Sequence, residues 1–429
     1  MRILFQHYTK YKLIYLGIVI QLLYFPLALH TGLLASLFSG DALHYCCQGM
    51  DFYQIPNGAY AYWHGGSLTG APLPYGGTTY AAGHTVNSNV YHPFFTLIVG
   101  TPLLLLSPVQ AFYTWIVVKL LLTLTVTAYF FWNFRQEKYI GLAVFVLLAN
   151  ASQYLETAVA QFQSILNVFL LLFLIALVRN QSARWGGILY CLTLLVKPIG
   201  ILWLGVLLCK RRFTQTLFGA TFFAALTIPF LISGSGSYYL KNLSTNLLST
   251  STDGPVQIIT LRAFLLHSSP LPSLIVSLIG GIALVLVLFF GALKRVHIAK
   301  GMFLTMVYYL CFYDQVYEYQ WTSLAPVLAI CLVCCPEFQT RLARCLVLLT
   351  CLPSVFVLLN FWHVGVTVDR IFGLNPVMVG WQWMVVSKVG PLLLLTISVL
   401  IKDIVPTYRQ VNAFWKALRE VNRGMNVFG

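Results

Sequence analysis

Apolar runs long enough, or nearly long enough, to cross a bilayer recur along the whole chain. They fall near residues 13–34, 93–107, 110–132, 139–152, 158–178, 185–208, 213–233, 272–293, 299–313, 321–335, 343–360 and 378–402. A spanning helix needs about 20 predominantly apolar residues. Hydrocarbon admits only backbones that satisfy their own N–H and C=O groups, and no barrel pattern is visible, so the runs predict helices. The expectation is an all-α polytopic membrane protein, one integral membrane domain over 1–429, with about 12 transmembrane or half-membrane helices. Composition agrees: 59% of the 429 residues are hydrophobic and 9% are charged, against about a quarter charged in soluble domains.

The few charges then set the topology. The formal net charge is +15, but the cations fall in short clusters between apolar runs rather than in a basic stripe, which argues against nucleic acid as a partner. No Lys or Arg occurs between Lys12 and Lys119, so the stretch 35–92 is expected outside as a large first extracytoplasmic loop. Cations recur at Arg135/Lys138, Arg179/Arg184, 209–213, Lys294/Arg295, Arg341/Arg344 and in a basic tail over 403–429. These read as cytoplasmic, as do both termini. The opening "MRILFQHYTKYK" and the apolar run after it read as a signal anchor. A second outer loop is expected over 234–260, and 361–376 is also placed outside.

Strict alternation fails in one region. Full crossings by both 93–107 and 110–132 would put Arg135 and Lys138 outside, and a full crossing by 185–208 would separate Arg179/Arg184 from the 209–213 cluster. Pro198 interrupts the latter run and 93–107 is short. Half-helices that enter and return repair both conflicts. Such breaks are tolerated only where they line a protein-buried or water-filled cavity, so a cavity is expected near the outer side.

Candidate functional residues concentrate in 35–92. This loop holds Asp41 and Asp51, four histidines (His44, His64, His84, His92) and ten Phe, Tyr and Trp residues, Tyr53 and Tyr91 among them. Amides, hydroxyls and aromatic rings suit a polyhydroxyl ligand, although Tyr and Trp also gather at membrane interfaces. An Asp can serve as a general base toward a hydroxyl, or merely cap a helix, as Asp41 after Ser39-Gly40 suggests. The histidines show no metal-ligand spacing, so no metal is expected. Lys197, flanked by apolar residues beside Pro198, either meets an anion or snorkels to an interface. Lys119 reads as snorkelling. Asp314 and Glu318 share a helical face, and Gln161 and Gln163 open an apolar run. Cys331 and Cys334 read as buried structural thiols.

Four of these features, taken in order, resemble a known family. "MDFYQIPNGAYAYWHGGSLTG" followed by "VYHPFFTLIVGTPLLLLSP", Gln163, Lys197-Pro198 and "VYEYQWTSLAP" are similar to glycosyltransferase family 87, polyprenyl-phosphate-mannose-dependent mannosyltransferases of the GT-C class. The chain departs from that pattern at Phe162, where Gly is typical before the Gln. It departs again at His92, which stands for Pro, and at Tyr319 and Gln320, which replace two histidines after Glu318. The resemblance implies a GT-C-like helical bundle in a cell membrane of bacterial cytoplasmic type. It implies an inverting, cofactor-independent transfer of a hexose, mannose by analogy, from a polyprenyl-phosphate sugar to a lipid, glycan or protein hydroxyl on the outer face. Asp51 would be the catalytic base; Tyr53, Tyr91, His92, Gln163, Lys197, Glu318 and Gln320 would bind substrate. A transporter or flippase of lipid-linked saccharides is the alternative, as is a non-catalytic assembly partner. The concentration of polar groups outside and the lack of an internal repeat favour the enzyme.

Overall fold

The structure is a computed structural model of the full chain. It describes residues 2–27, 29, 49, 51–68, 89–241, 258–268, 271–294, 296–313, 316–352, 382–401 and 403. Asp41, His44, His84, Asp314, most of the 234–260 loop, the 361–376 segment and the tail beyond 403 lie outside the described residues. Every ordered element among the described residues is helical. In chain order these are α1 (Arg2–Pro26), α2 (Gln54–Trp63), α3 (Pro93–Leu103), α4 (Pro108–Phe134), α5 (Ile140–Ala149), α6 (Ser152–Val159), α7 (Gln163–Val178), α8 (Ala183–Val196), α9 (Trp203–Cys209), α10 (Phe213–Ile232), α11 (Leu261–Ser268), α12 (Ser273–Ala292), α13 (Ile298–Phe312), α14 (Leu324–Cys334), α15 (Arg341–Cys351) and α16 (Gln382–Ile401).

Each predicted run contains a helix, but among the described residues four helices, α4, α10, α12 and α16, are long and apolar enough to cross a membrane by themselves. The twelve-span expectation is thus met in part. Several runs are broken into shorter pieces, and the breaks meet one another. The 35–92 loop also departs from expectation, because it contains α2. Gly58 and Gly100 let α2 lie directly on α3: a Cβ on Gly100 would come within 2.7 Å of Ala59 Cβ and 2.8 Å of Ile55 O.

Side-chain contacts order the helices by end. Arg179 at the end of α7 donates to Asn133 O and lies 4.3 Å from the Phe134 ring centroid. Arg212 donates to Asn180 Oδ1 at 2.6 Å, Lys210 to Leu293 O and Val296 O, and Arg344 lies over Tyr139. The basic turns 133–139, 179–184, 210–213, 293–297 and 335–344 therefore gather at one end. The opposite end collects the tip of α1 (Tyr24 to Ala149 O), residues 51–68 and 89–103, the start of α7 and the 316–323 turn.

This arrangement resolves the alternation conflict. Pro93–Leu103 has 11 residues, about 16 Å of helix, which is short of a bilayer core of about 30 Å. It stays at the end opposite the cations. The 183–212 segment rises as α8, turns through a 3-10 helix at Pro198–Leu202 and returns as α9, so both its termini sit among basic turns. The reason is local. Lys197 precedes proline and adopts the extended conformation that position favours, φ −148° and ψ 137°.

Most of the core is one apolar cluster around α5, α7, α13 and α14. A smaller cluster of Phe52, Phe95, Phe112, Trp115 and Phe162 lies beneath the opposite end. Dispersion and ring packing in this cluster give the polar residues beside it a rigid floor.

Candidate active site

The 49–53 turn is shaped by Gly49. Its φ is +75°, and a Cβ there would lie 2.9 Å from the Phe112 ring, so glycine alone suits both the backbone and the space. Phe52 and Tyr53, which follow Asp51, are buried. Phe52 packs on Phe112, Trp115 and Phe162, and the Tyr53 hydroxyl donates to Pro108 O at 3.4 Å. These two rings thus anchor Asp51 to α4. The exposed ring of α2 is Trp63.

Asp51 is 7% exposed and receives two carboxamides. Gln54 Nε2 donates to its Oδ1 at 2.8 Å, and Gln161 Nε2 donates to its Oδ2. The Gln161 side chain is itself oriented from its other end. Its Oε1 accepts the Tyr91 hydroxyl at 3.0 Å and Lys197 Nζ at 3.3 Å. With two donors on Oε1, the amide nitrogen must face the carboxylate. Asp51 and Lys197 therefore sit on the two ends of one carboxamide.

The backbone under Gln161 is held by a buried ion pair. Lys119, in the middle of α4, lies 2.8 Å from Glu156 and donates to Gln161 O at 3.0 Å. Glu156 in turn accepts Ser164 N at 3.1 Å, capping the start of α7. The break between α6 and α7 passes through Ala160 in the left-handed region, φ 50° and ψ 42°. Non-glycine residues pay a penalty there, and such strain collects at sites where the surroundings over-determine it. The snorkelling assigned to Lys119 is thereby corrected: its ammonium is buried and paired because a helix break lies opposite it on a neighbouring helix.

Lys197 differs from Lys119. Among the described residues no carboxylate comes within ion-pair distance of it; Asp51 and Glu156 act on it only through space. Its second neighbour is the Tyr319 ring, with the centroid 5.2 Å from Nζ. Tyr319 belongs to the 3-10 turn Glu318–Ser323, which leads into α14. That turn is tied down on both sides. Glu318 pairs with Lys388 of α16 at 3.0 Å and accepts Ser152 Oγ at 3.0 Å. Gln163 donates to Ser323 Oγ, which donates on to Asn167 Oδ1 at 2.9 Å.

The eight predicted site residues therefore divide. Asp51, Tyr91 and Lys197 meet around Gln161. Gln163 and Glu318 brace the Tyr319 turn, and Gln320 caps it by accepting Tyr317 N at 2.9 Å. Tyr53 faces α4. His92 is buried with both ring nitrogens engaged, Nδ1 accepting Phe94 N at 3.2 Å and Nε2 against Thr227 Oγ1 at 2.9 Å, so it joins α3 to α10. Phe162, the departure from Gly, fills the aromatic floor against Phe52, Tyr91, Phe95 and Trp115.

Sequence reasoning passed over Gln54, Glu156 and Lys388. The last two carried a usable signal, since an ionisable residue inside an apolar run is a functional candidate by default. Several buried polar atoms around these breaks have no protein partner, among them Gln163 Oε1, Glu318 Oε2 and Trp321 Nε1. A small, mainly apolar pocket opens nearby between α4 and α7, with Thr127, Gln153, Ser164 and Asn167 among its lining residues. No cluster of three His, Cys, Asp or Glu side chains forms a metal site among the described residues.

The described helices form an apolar bundle of the membrane-protein kind, whose breaks bring Asp51 and Lys197 to the two ends of the Gln161 carboxamide. The family model of glycosyltransferase family 87 matches residues 89–312, just over half of the chain. The protein belongs to that family and is a glycosyltransferase. A search of curated proteins finds no match to it.

Proposed function

We propose that the protein transfers a hexose, mannose by family analogy, from a polyprenyl-phosphate sugar to an acceptor hydroxyl, with inversion and with Asp51 as general base. The observation that carries this reading is the Gln161 carboxamide, which holds Asp51 at one end and Lys197 at the other. A single displacement needs both groups. Asp51 takes the proton of the acceptor hydroxyl as the new C1–O bond forms. The C1–O bond to phosphate breaks with its electron pair, and the polyprenyl phosphate departs with one more negative charge. Lys197, with no carboxylate of its own, is free to offset that charge. A carboxylate offers about four acceptor sites, so an acceptor hydroxyl can join the Gln54 and Gln161 amides on Asp51.

Position in the bilayer supports an extracytoplasmic reaction. From the basic end to Gln161 runs α7, 16 residues or about 24 Å. Within a core of about 30 Å, that length supports a site toward the far interface, which the positive-inside rule favours as the outer one. The prenyl chain would remain in lipid, and the acceptor, whether lipid, glycan or protein, would approach from outside.

The test is Asp51→Asn in membranes supplied with a labelled polyprenyl-phosphate sugar. Transfer is expected to fall at least about a hundredfold, the usual contribution of a general base, with donor binding retained. Transfer at the parental rate would remove Asp51 as the base.

A further inference from the structure

The resemblance points to Gln320 as the neutral stand-in for a donor-binding histidine. The geometry points one residue earlier. Gln320 is 9% exposed and spends its side-chain oxygen on Tyr317 N within its own turn. Tyr319 is half-buried, its ring lies over Lys197 Nζ, and its other ring neighbour is Tyr317, stacked at 5.7 Å. Among the described residues its hydroxyl has no hydrogen-bond acceptor. The hydroxyls of Tyr53, Tyr91 and Tyr238 nearby all donate to protein acceptors. The turn bearing Tyr319 is also braced through Lys388–Glu318, Ser152–Glu318 and Gln163–Ser323. A donor on a braced turn beside a cation without a counter-charge, with no acceptor among the described residues, is preorganised for an anion.

We propose that Tyr319 is a donor-binding residue whose hydroxyl donates to the phosphate that Lys197 attracts. Its ring holds the ammonium by cation–π attraction, and its O–H adds a charge-assisted hydrogen bond from the opposite side. This rests on the reading of Lys197 as the phosphate cation. The hexose is left to other groups, so Tyr319 recognises the phosphate whether or not a sugar is attached.

The test uses the purified full-length protein in detergent and two ligands, undecaprenyl phosphate and its mannosylated form. Tyr319→Phe keeps the ring and removes only the O–H. It is expected to raise the Kd of both ligands by about tenfold, the loss typical of one hydrogen bond to a charged group, with an unchanged melting temperature. Tyr319→Ala should weaken both further. Unchanged Kd for both ligands in Tyr319→Phe overturns the proposal. Weaker binding of the mannosylated ligand alone also overturns it, because the contact would then be to the sugar. Lys197→Met, measured in parallel, separates the two ideas. If it weakens both ligands while Tyr319→Phe does not, only the Tyr319 assignment falls; if it too has no effect, the phosphate reading falls with it.

Discussion

Lys300 and Lys197 are both lysines placed inside apolar segments, at opposite ends of the bundle, and their surroundings differ in one respect. Lys300 is saturated: it pairs with Asp403, lies 3.5 Å from Glu337 and donates to Val399 O at 2.7 Å. Lys197 has an amide oxygen and an aromatic ring. A buried cation is costly unless it is paired and hydrogen-bonded. Lys300 meets that condition within the protein, as a fastener between α13 and α16. Lys197 meets it only when something anionic arrives. Lys119 is an intermediate case, paired with Glu156 yet donating to the backbone of the residue that orients Asp51. Under the proposed function, a missing counter-charge, rather than burial, is what distinguishes Lys197 from Lys300.

The comparison can be broken by experiment. The largest effect on stability is expected from Lys300→Met, which takes the buried ammonium away from Asp403 and Glu337 and should cost about 3–5 kcal/mol, read as a lowered midpoint of unfolding in detergent. Its affinity for polyprenyl phosphate should not change; a loss of affinity without a loss of stability would reverse the two roles. Glu156→Gln should lower stability by a similar or smaller amount, because it leaves the Lys119 ammonium unpaired, and should slow transfer as well. A Lys119→Met, Glu156→Leu double variant should recover most of the stability but not the rate.

Lys197→Met is expected to do the opposite of Lys300→Met. Affinity for polyprenyl phosphate should fall about tenfold to a hundredfold, as for a lost charge-assisted hydrogen bond, while the unfolding midpoint holds or rises. A marked drop in that midpoint would mean that Lys197 is a fastener too. The smallest effect is expected for Gln161→Met, which keeps the volume but removes the amide between Asp51 and Lys197. Turnover should drop about fivefold to tenfold, in line with one or two neutral hydrogen bonds. Gln161→Glu should be worse, since it would set a carboxylate against Asp51 and give Lys197 a counter-ion. Equal activity of the Met, Glu and parental forms would show that the amide orients nothing.

Much of this contrast was legible in the chain, but unevenly. Lys197-Pro198 announced both a charge and a helix break, and the return of α8 through α9 follows from the proline. Asp51 stood out because so few acids exist to compete with it. Lys119 was misjudged because its own helix is unbroken; the break that needs it lies 41 residues later, at Ala160. Lys388 and Glu318 are 70 positions apart, and no local pattern in either segment announces the other. Gln161 and Gln163 look alike in sequence, two residues apart at a helix start. Only their positions around the start of α7 turn one toward Asp51 and the other toward Ser323.

The sequence by itself determined the class of structure and the side of the charges. Hydrocarbon leaves a chain this apolar little choice but helices, and cations confined to alternate turns can gather at only one end. It also determined where helices break, since Pro198 and the short run after Pro93 act on their own neighbours. Which buried charge is left without a counter-ion was decided by tertiary structure alone. That outcome depends on distances between segments tens to hundreds of residues apart, and Coulomb attraction, acting through space at a few ångströms, takes no account of separation along the chain.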